Sequence, residues 1–291
     1  MCAAVVYWAH VIGSFLMRYV PVEIAYRLAA GLTPLALQLF ARGYFDRATS
    51  NMRQVLGPHV DPREARRLTQ AAFANYARYM VDLVRLPHLN PRDILQTIRI
   101  EGWEHVDSAF AAGRGVVFAT GHIGNWDLAG AAFVANGHPV NALVETLRPA
   151  RWNERVQRTR TAVGVKAIPI ESGLRDMLSA LRKREVLAVL VDRPVPDGVP
   201  VTFFGRTTRV PGGAATLALR TGSPVVPAAL VRDPHGPGFV AHIGPPIIGG
   251  QGDDATIVMQ RIMNWLEGII RRYPDQWFMF RHMWPPITSS S

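Results

Sequence analysis

The stretch Val116–Ala131, VVFATGHIGNWDLAGA, decides how the chain is read. Val116, Val117, Phe118 and Ala119 form a short apolar run stopped by Gly121, the pattern of a strand buried on both faces. From Asn125 onward the pattern turns helical, with Trp126, Leu128 and Phe133 among alanines. His122 then stands at the carboxyl end of the strand, the edge at which open α/β sheets bind ligands. Asp127 follows five residues later. Positions i and i+5 lie about 140° apart on a helix, so a loop at Ile123 and Gly124 has to bring the two side chains together. The expectation is that Asp127 holds one imidazole nitrogen of His122 while the other takes a proton. The alternative is purely structural: Asn125 caps the helix, Asp127 complements its dipole, and His122 is a loop histidine.

Outward from this stretch, strand and helix signals alternate. Residues 97–101, Val140–Val144, Ala167–Ile170, Val186–Val191, Pro224–Val231 and Gly238–Ile243 read as further strands. His105–Ala112, Arg151–Val163, Ser172–Arg184 (capped by Ser172), Pro211–Arg220 and Ala255–Arg272 read as helices. Asp61-Pro62 opens another helix, with an aspartate cap and proline in the first turn. Its apolar positions, including Tyr76, Tyr79 and Leu83, read as packing. Arg193–Arg209, rich in proline, reads as a long loop. The alternation predicts an α/β fold with a mainly parallel central sheet flanked by helices. Residues 46–291 read as one α/β domain, preceded by apolar helices over 1–45. The pattern shows no internal repeat.

Residues 2–17 carry no formally charged side chain if His10 is neutral, and Arg18 ends the run. That is short of the roughly 20 residues of a spanning helix. Neither a basic segment before it nor a cleavage site after it marks a secretory signal. Pro21 separates it from a helix at Val22–Ala30, and another apolar stretch, Leu32–Ala41, contains Pro34. A span, an interfacial anchor and covering helices are the three readings. Membrane contact is the one expected, with Arg18, Arg27, Arg42 and Arg47 near lipid headgroups, a preference that rests partly on the family resemblance given below.

The 291 residues carry a net charge of +10, and Lys166 and Lys183 are the only lysines, so the excess is arginine. Arginine forks suit phosphate and anionic headgroups. The arginines are scattered among apolar helices and no nucleic-acid-binding signature accompanies them, so nucleic acid is not the expected partner. The single cysteine, Cys2, excludes an intrachain disulfide. HExxH and EF-hand patterns are absent, and no metal is expected. Gly113-x-Gly115 precedes its strand and lacks a third glycine, so a dinucleotide fingerprint is rejected. There is no Gly-x-Ser-x-Gly elbow, which favours a general base over a covalent enzyme intermediate.

Further candidates sit at other strand ends. Glu145 and Arg148 follow Val140–Val144, Arg160 lies on the next helix, and Asp192 and Arg193 close Val186–Val191. All are read as substrate-binding, with His122 and Asp127 as the catalytic pair. Each has a plainer reading. Arg151, Glu154, Arg155, Arg158 and Arg160 are dense enough for a solvated helix face, and Asp192-Arg193 is of a kind that forms local ion pairs.

GHIGNWD resembles the His-x4-Asp/Glu block of the bacterial late acyltransferases of lipid A and the related mycobacterial phosphatidylinositol mannoside acyltransferases. The resemblance runs from about Ile100 to Pro285. It takes in VETLRPARWNERVQRTR (Val144–Arg160), VLAVLVDRP (Val186–Pro194), VTFFG (Val201–Gly205), RVPGGAATLALRTGSPVVPA (Arg209–Ala228) and YPDQWFMFRHMW (Tyr273–Trp284). Each block alone is weak; their joint order is specific. It implies a glycerolipid-acyltransferase-like fold and a membrane-bound O-acyltransferase at the cytoplasmic face of a bacterial inner membrane. Such an enzyme moves a fatty acyl group from acyl-CoA or acyl carrier protein, as substrates, to a glycolipid hydroxyl; no cofactor is implied. The family places an arginine near the reaction centre, and Arg160 is the positional match. The mycobacterial relatives carry a glutamate three residues before the Phe-Phe pair, and Pro200 stands there in this chain. Asp192 or Asp197 in its place, or the His122–Asp127 pair alone, are the alternatives. Phe203, Phe204 and Gly205 read either as an acyl-groove wall or as packing. A thioesterase or lipid hydrolase using the same pair is the rival activity, and a non-enzymatic anionic-lipid binder the rival class.

Overall fold

The computed structural model describes residues 19–171 and 173–284. The uncharged run 2–17 and the expected cap Ser172 lie outside the described residues.

Nine strands are present among the described residues: β1 (Ile98–Glu101), β2 (Val116–Thr120), β3 (Val140–Val144), β4 (Lys166–Pro169), β5 (Val186–Leu190), β6 (Val199–Phe203), β7 (Arg206–Val210), β8 (Val225–Arg232) and β9 (Phe239–Ile243). Seven form one sheet in the order β1-β9-β8-β2-β5-β3-β4. Every pairing is parallel except β8 with β9. The expected mainly parallel α/β architecture is therefore the fold.

The central strands are apolar on both sides because both sides are covered. Val117, Ala119, Leu187 and Val189 join a core completed by Leu181, Leu217, Ile262, Met263 and Leu266 from helices Leu174–Arg182, Gly213–Thr221 and Ala255–Arg272. The alternate residues Val116, Phe118 and Val186 meet Val106 and Ala109 of helix Trp103–Ala111, and Phe133 of helix Trp126–Ala135, on the opposite face. Asp61, Asn125 and Asp254 cap their helices by accepting from Arg63, Leu128 and Ile257 backbone N–H groups.

Two expectations are corrected. The segment Arg193–Arg209 is not a continuous loop: β6 and β7 form an antiparallel hairpin. Val201, Phe203, Thr208 and Val210 point inward and alternate with exposed residues. Phe204 and Gly205 turn the chain, both with positive φ, as the tight turn of a two-residue hairpin requires. The proline at position 200 hid this period-2 pattern. Secondly, the helix expected over Val22–Ala30 does not stop there but runs on through the apolar stretch to Phe40, with Pro34 inside it. This helix packs on Pro62–Arg85, and that contact holds the helix through the proline, which supplies no N–H of its own. No single helix among the described residues is long and apolar enough to cross a membrane.

Candidate active site

Two strand ends make the centre. Parallel pairing of β2 with β5 places Thr120 beside Leu190. The residues two positions further on, His122 and Asp192, consequently emerge side by side at the carboxyl edge. Gly121 makes room: a Cβ there would lie 2.8 Å from Asp192 Oδ2 and 2.9 Å from Leu266. Gly124 has φ +63°, and a Cβ on it would collide with the Leu230 carbonyl. The His122 loop is strapped by the C-terminal segment, since Phe278 N–H donates to His122 O (2.7 Å) and Gly124 N–H donates to Gln276 O (2.9 Å).

Asp192, not Asp127, holds the imidazole. His122 Nδ1 lies 2.7 Å from Asp192 Oδ1. Asp192 Oδ2 accepts from the His122 backbone N–H at 2.9 Å and from Trp277 Nε1 at 2.8 Å. Asp192 is fully buried. Burial alone would raise its pKa; the His122 charge and these three hydrogen bonds outweigh it and hold the carboxyl below its ordinary value. A carboxylate on Nδ1 fixes the tautomer with the proton there, leaving Nε2 as the basic nitrogen. The ring is partly exposed and lines a cavity, and no group among the described residues hydrogen-bonds Nε2.

Asp127 faces elsewhere because it sits in the first turn of its helix, past the Asn125 cap. Tyr79 donates to its Oδ2 at 2.5 Å, and Arg160 Nε donates to its Oδ1 at 2.6 Å. Burial first, then the Asp127 charge, push the Tyr79 pKa far up, so the phenol stays a donor. Burial would lower the Arg160 pKa, but Asp127 outweighs it and raises it. Arg160 is thus a largely buried cation whose Nε and Nη2 donate to the two oxygens of one carboxylate, not part of a solvated helix face.

The cavity has a volume of about 660 Å³. Its walls are mostly apolar, among them Met80, Leu83, Leu143, Met177, Leu190 and Leu217, with His122, Arg160, Glu145, Arg193, Arg220, Tyr76 and Tyr79 as the ionisable groups. Glu145 and Arg193, both in its lining, pair with each other. Burial, then the nearby Arg281, lower the Arg193 pKa. Trp126, Arg160 and Leu190 also line an adjoining, narrower space of about 100 Å³ between the sheet and helix Trp126–Ala135. Arg148 is exposed and lies outside these walls.

The Pro200 position is solvent-facing on β6, opposite Arg209, and Asp197 is exposed. Neither reaches His122. Phe203 and Phe204 are packed against Trp277 and Trp284 in the core and do not line the cavity. Sequence reasoning read Tyr79 as packing and did not single out Trp277; an aromatic in an apolar run carries no local mark of a polar partner.

The sheet edge thus sets a carboxylate-backed histidine beside a mostly apolar cavity. Comparison with known proteins defines the class. The chain belongs to the bacterial lipid A biosynthesis acyltransferase family, which matches residues 1–285, and it is an acyltransferase. It is 31% identical to the phosphatidylinositol mannoside acyltransferase of Mycobacterium tuberculosis over 98% of this chain and 90% of the relative. The protein of that name from Mycolicibacterium smegmatis is 31% identical over 80% and 77%. The lipid A biosynthesis lauroyltransferase of Escherichia coli is 23% identical over 95% and 90%.

Proposed function

We propose that the enzyme moves a fatty acyl group from acyl-CoA or acyl carrier protein to a hydroxyl of a membrane glycolipid of the phosphatidylinositol mannoside kind, at the cytoplasmic face of the inner membrane. The observation that carries this reading is His122, with Nδ1 on buried Asp192 and its other nitrogen on the cavity. Higher identity to the mannoside acyltransferases than to the lauroyltransferase supports the acceptor.

His122 Nε2 takes the proton of the acceptor hydroxyl as its oxygen attacks the thioester carbonyl. The C–O bond forms, the C–S bond breaks, and the imidazolium returns its proton to the departing thiolate. Asp192 stabilises the imidazolium. Arg160 serves the developing oxyanion or a substrate phosphate, and Asp127 and Tyr79 hold Arg160 in place. Arg193 and Glu145 line the same cavity, and its apolar walls take the acyl chain.

The test is thioester consumption by purified protein with and without phosphatidylinositol mannoside, followed by mass spectrometry of the lipid. Acylated mannoside from wild type and a loss on the order of 10²–10⁴-fold in folded His122→Ala are expected. Consumption independent of the glycolipid identifies a hydrolase instead.

A further inference from the structure

A second groove adjoins the reaction cavity and has the opposite chemistry. It has a volume of about 450 Å³ and is lined by helix Ala150–Ala162 and the edge strand β4. Thr146, Asn153, Gln157, Thr161 and Lys166 supply its polar groups. The helix divides the two spaces. Asn153, Gln157 and Thr161, at i, i+4 and i+8, line the groove. Trp152, Val156 and Arg160, about 100° round the helix, line the cavity. Val144, the last residue of β3, belongs to both walls, so the groove meets the carboxyl edge at which His122 stands.

The groove is built to meet hydroxyl groups. Asn153 Oδ1 accepts from the Leu147 N–H at 3.1 Å and from Gln157 Nε2 at 3.3 Å. Gln157 Oε1 accepts from Arg160 Nη1 at 3.3 Å. Both amides are thereby oriented with their oxygens occupied, which leaves N–H groups of Asn153 Nδ2 and Gln157 Nε2 to donate. The Thr161 hydroxyl and the Lys166 ammonium have no hydrogen-bond partner among the described residues. Amide donors beside a hydroxyl match a sugar hydroxyl, which accepts and donates at one atom.

A phosphate is a poorer match, because arginine forks are the groups that grip it. All but two of the chain's basic side chains are arginine, yet no arginine lines this groove. Its one cation, Lys166, shares the groove with Thr146, whose N–H and hydroxyl donate to the Glu171 carboxylate at 3.4 and 3.3 Å. No net charge is left there to draw an anion.

The position fits a headgroup of more than one ring. β4 stands three strand spacings from β2, about 14 Å, farther than one hexose spans. A ring whose hydroxyl meets His122 therefore leaves the groove to its neighbour. We propose that the groove is a distal carbohydrate subsite, in which Asn153, Gln157, Thr161 and Lys166 hold a sugar or cyclitol ring of the acceptor other than the ring that is acylated. The acceptor in this proposal rests on the acyl-transfer reading; the recognition of a polyol ring does not.

Full-length protein is titrated calorimetrically with the deacylated headgroup of phosphatidylinositol mannoside and, separately, with adenosine 3′,5′-bisphosphate, the nucleotide part of CoA. Thr161→Phe fills the groove from an exposed helix position, and Lys166→Ala removes a donor from an exposed strand position. Wild type is expected to bind the headgroup. Thr161→Phe weakens that binding roughly tenfold, the worth of one or two hydrogen bonds, at an unchanged melting temperature. Should Thr161→Phe melt early, Lys166→Ala carries the same comparison with a loss of severalfold. In turnover, Thr161→Phe raises the KM for phosphatidylinositol mannoside by about the same factor at unchanged kcat. Octyl mannoside, with one ring, is acylated as by wild type. No headgroup binding by wild type, or equal binding by both variants, overturns the subsite. So does an equal rise in KM for octyl mannoside. Weakened binding of the nucleotide in place of the headgroup overturns it in favour of a donor site. Headgroup binding that needs Thr161, without any acyl transfer, refutes the acyl-transfer reading and leaves the polyol subsite standing.

Discussion

Asp192→Asn separates the two carboxylates that the His122 loop offers. In the wild type, Asp192 Oδ2 accepts from the His122 backbone at 2.9 Å and from Trp277 at 2.8 Å, while Oδ1 faces Nδ1 at 2.7 Å. Asparagine has nearly the same shape, and its single oxygen is needed where the two N–H donors converge. Its NH₂ must then face Nδ1. An amide donor at that point makes Nδ1 an acceptor and moves the ring proton to Nε2, which can no longer act as a base. Tautomer reversal of this kind in a histidine–carboxylate pair lowers turnover by about 10⁴, or about 5 kcal/mol of transition-state stabilisation. Asp127→Asn leaves the imidazole tautomer untouched and acts through Arg160 and Tyr79, so the expected loss is smaller and accompanied by a lower melting temperature. Steady-state turnover of both purified variants, with melting curves and ¹⁵N spectra of the His122 ring, is the measurement. Asp192→Asn within tenfold of wild type, alongside a 10⁴-fold loss in Asp127→Asn, would falsify the assignment of Asp192 as the carboxylate that sets the base.

Arg160→Lys is expected to impair turnover far more than an exposed arginine would, because lysine keeps the charge but loses the fork that Asp127 grips. Wild-type rates would return Arg160 to a passive position. Gly121→Ala drives a methyl group against Asp192 and Leu266; a stability loss of about 1–3 kcal/mol and a drop in turnover of more than tenfold are expected, and an alanine variant of normal rate and melting would contradict the packing described. Burial and the adjacent Asp82 raise the Tyr26 pKa to about 12. Its folded state therefore keeps the proton where the unfolded chain, with a pKa near 10, has lost it, and the contribution is whole below pH 10 and declines toward pH 12. The stability difference between wild type and Tyr26→Phe should shrink by about 2–3 kcal/mol across that interval in denaturant titrations; a constant difference would show that the hydroxyl titrates normally.

The strands of the seven-stranded sheet, most of the helices between them and the place of His122 were legible in the sequence because each depends on neighbours a few residues away, whereas the β6–β7 hairpin was not. Runs such as Val116–Ala119 and Val186–Val191 carry the pattern of strands buried on both faces, and Asp61 and Asn125 mark helix starts by the side chains they carry. A histidine between such a strand and such a helix has to stand at the carboxyl edge of the sheet. Which carboxylate would meet it was not legible. Asp127 is nearer in sequence, but the Asn125 cap commits it to a helix whose first turn faces Tyr79 and Arg160. Asp192 lies 70 residues away and becomes the neighbour only because β5 pairs with β2 in a register that sets Thr120 beside Leu190. Trp277, a further 85 residues on, joins them when the C-terminal segment crosses the loop. That Ile24, Leu28, Leu32, Leu35 and Leu39 of helix Val22–Phe40 are exposed was equally undecided, since apolar spacing shows that a helix has an apolar side but not which way that side faces. Strand register and helix orientation are set by contacts between distant segments, and one segment read alone contains neither.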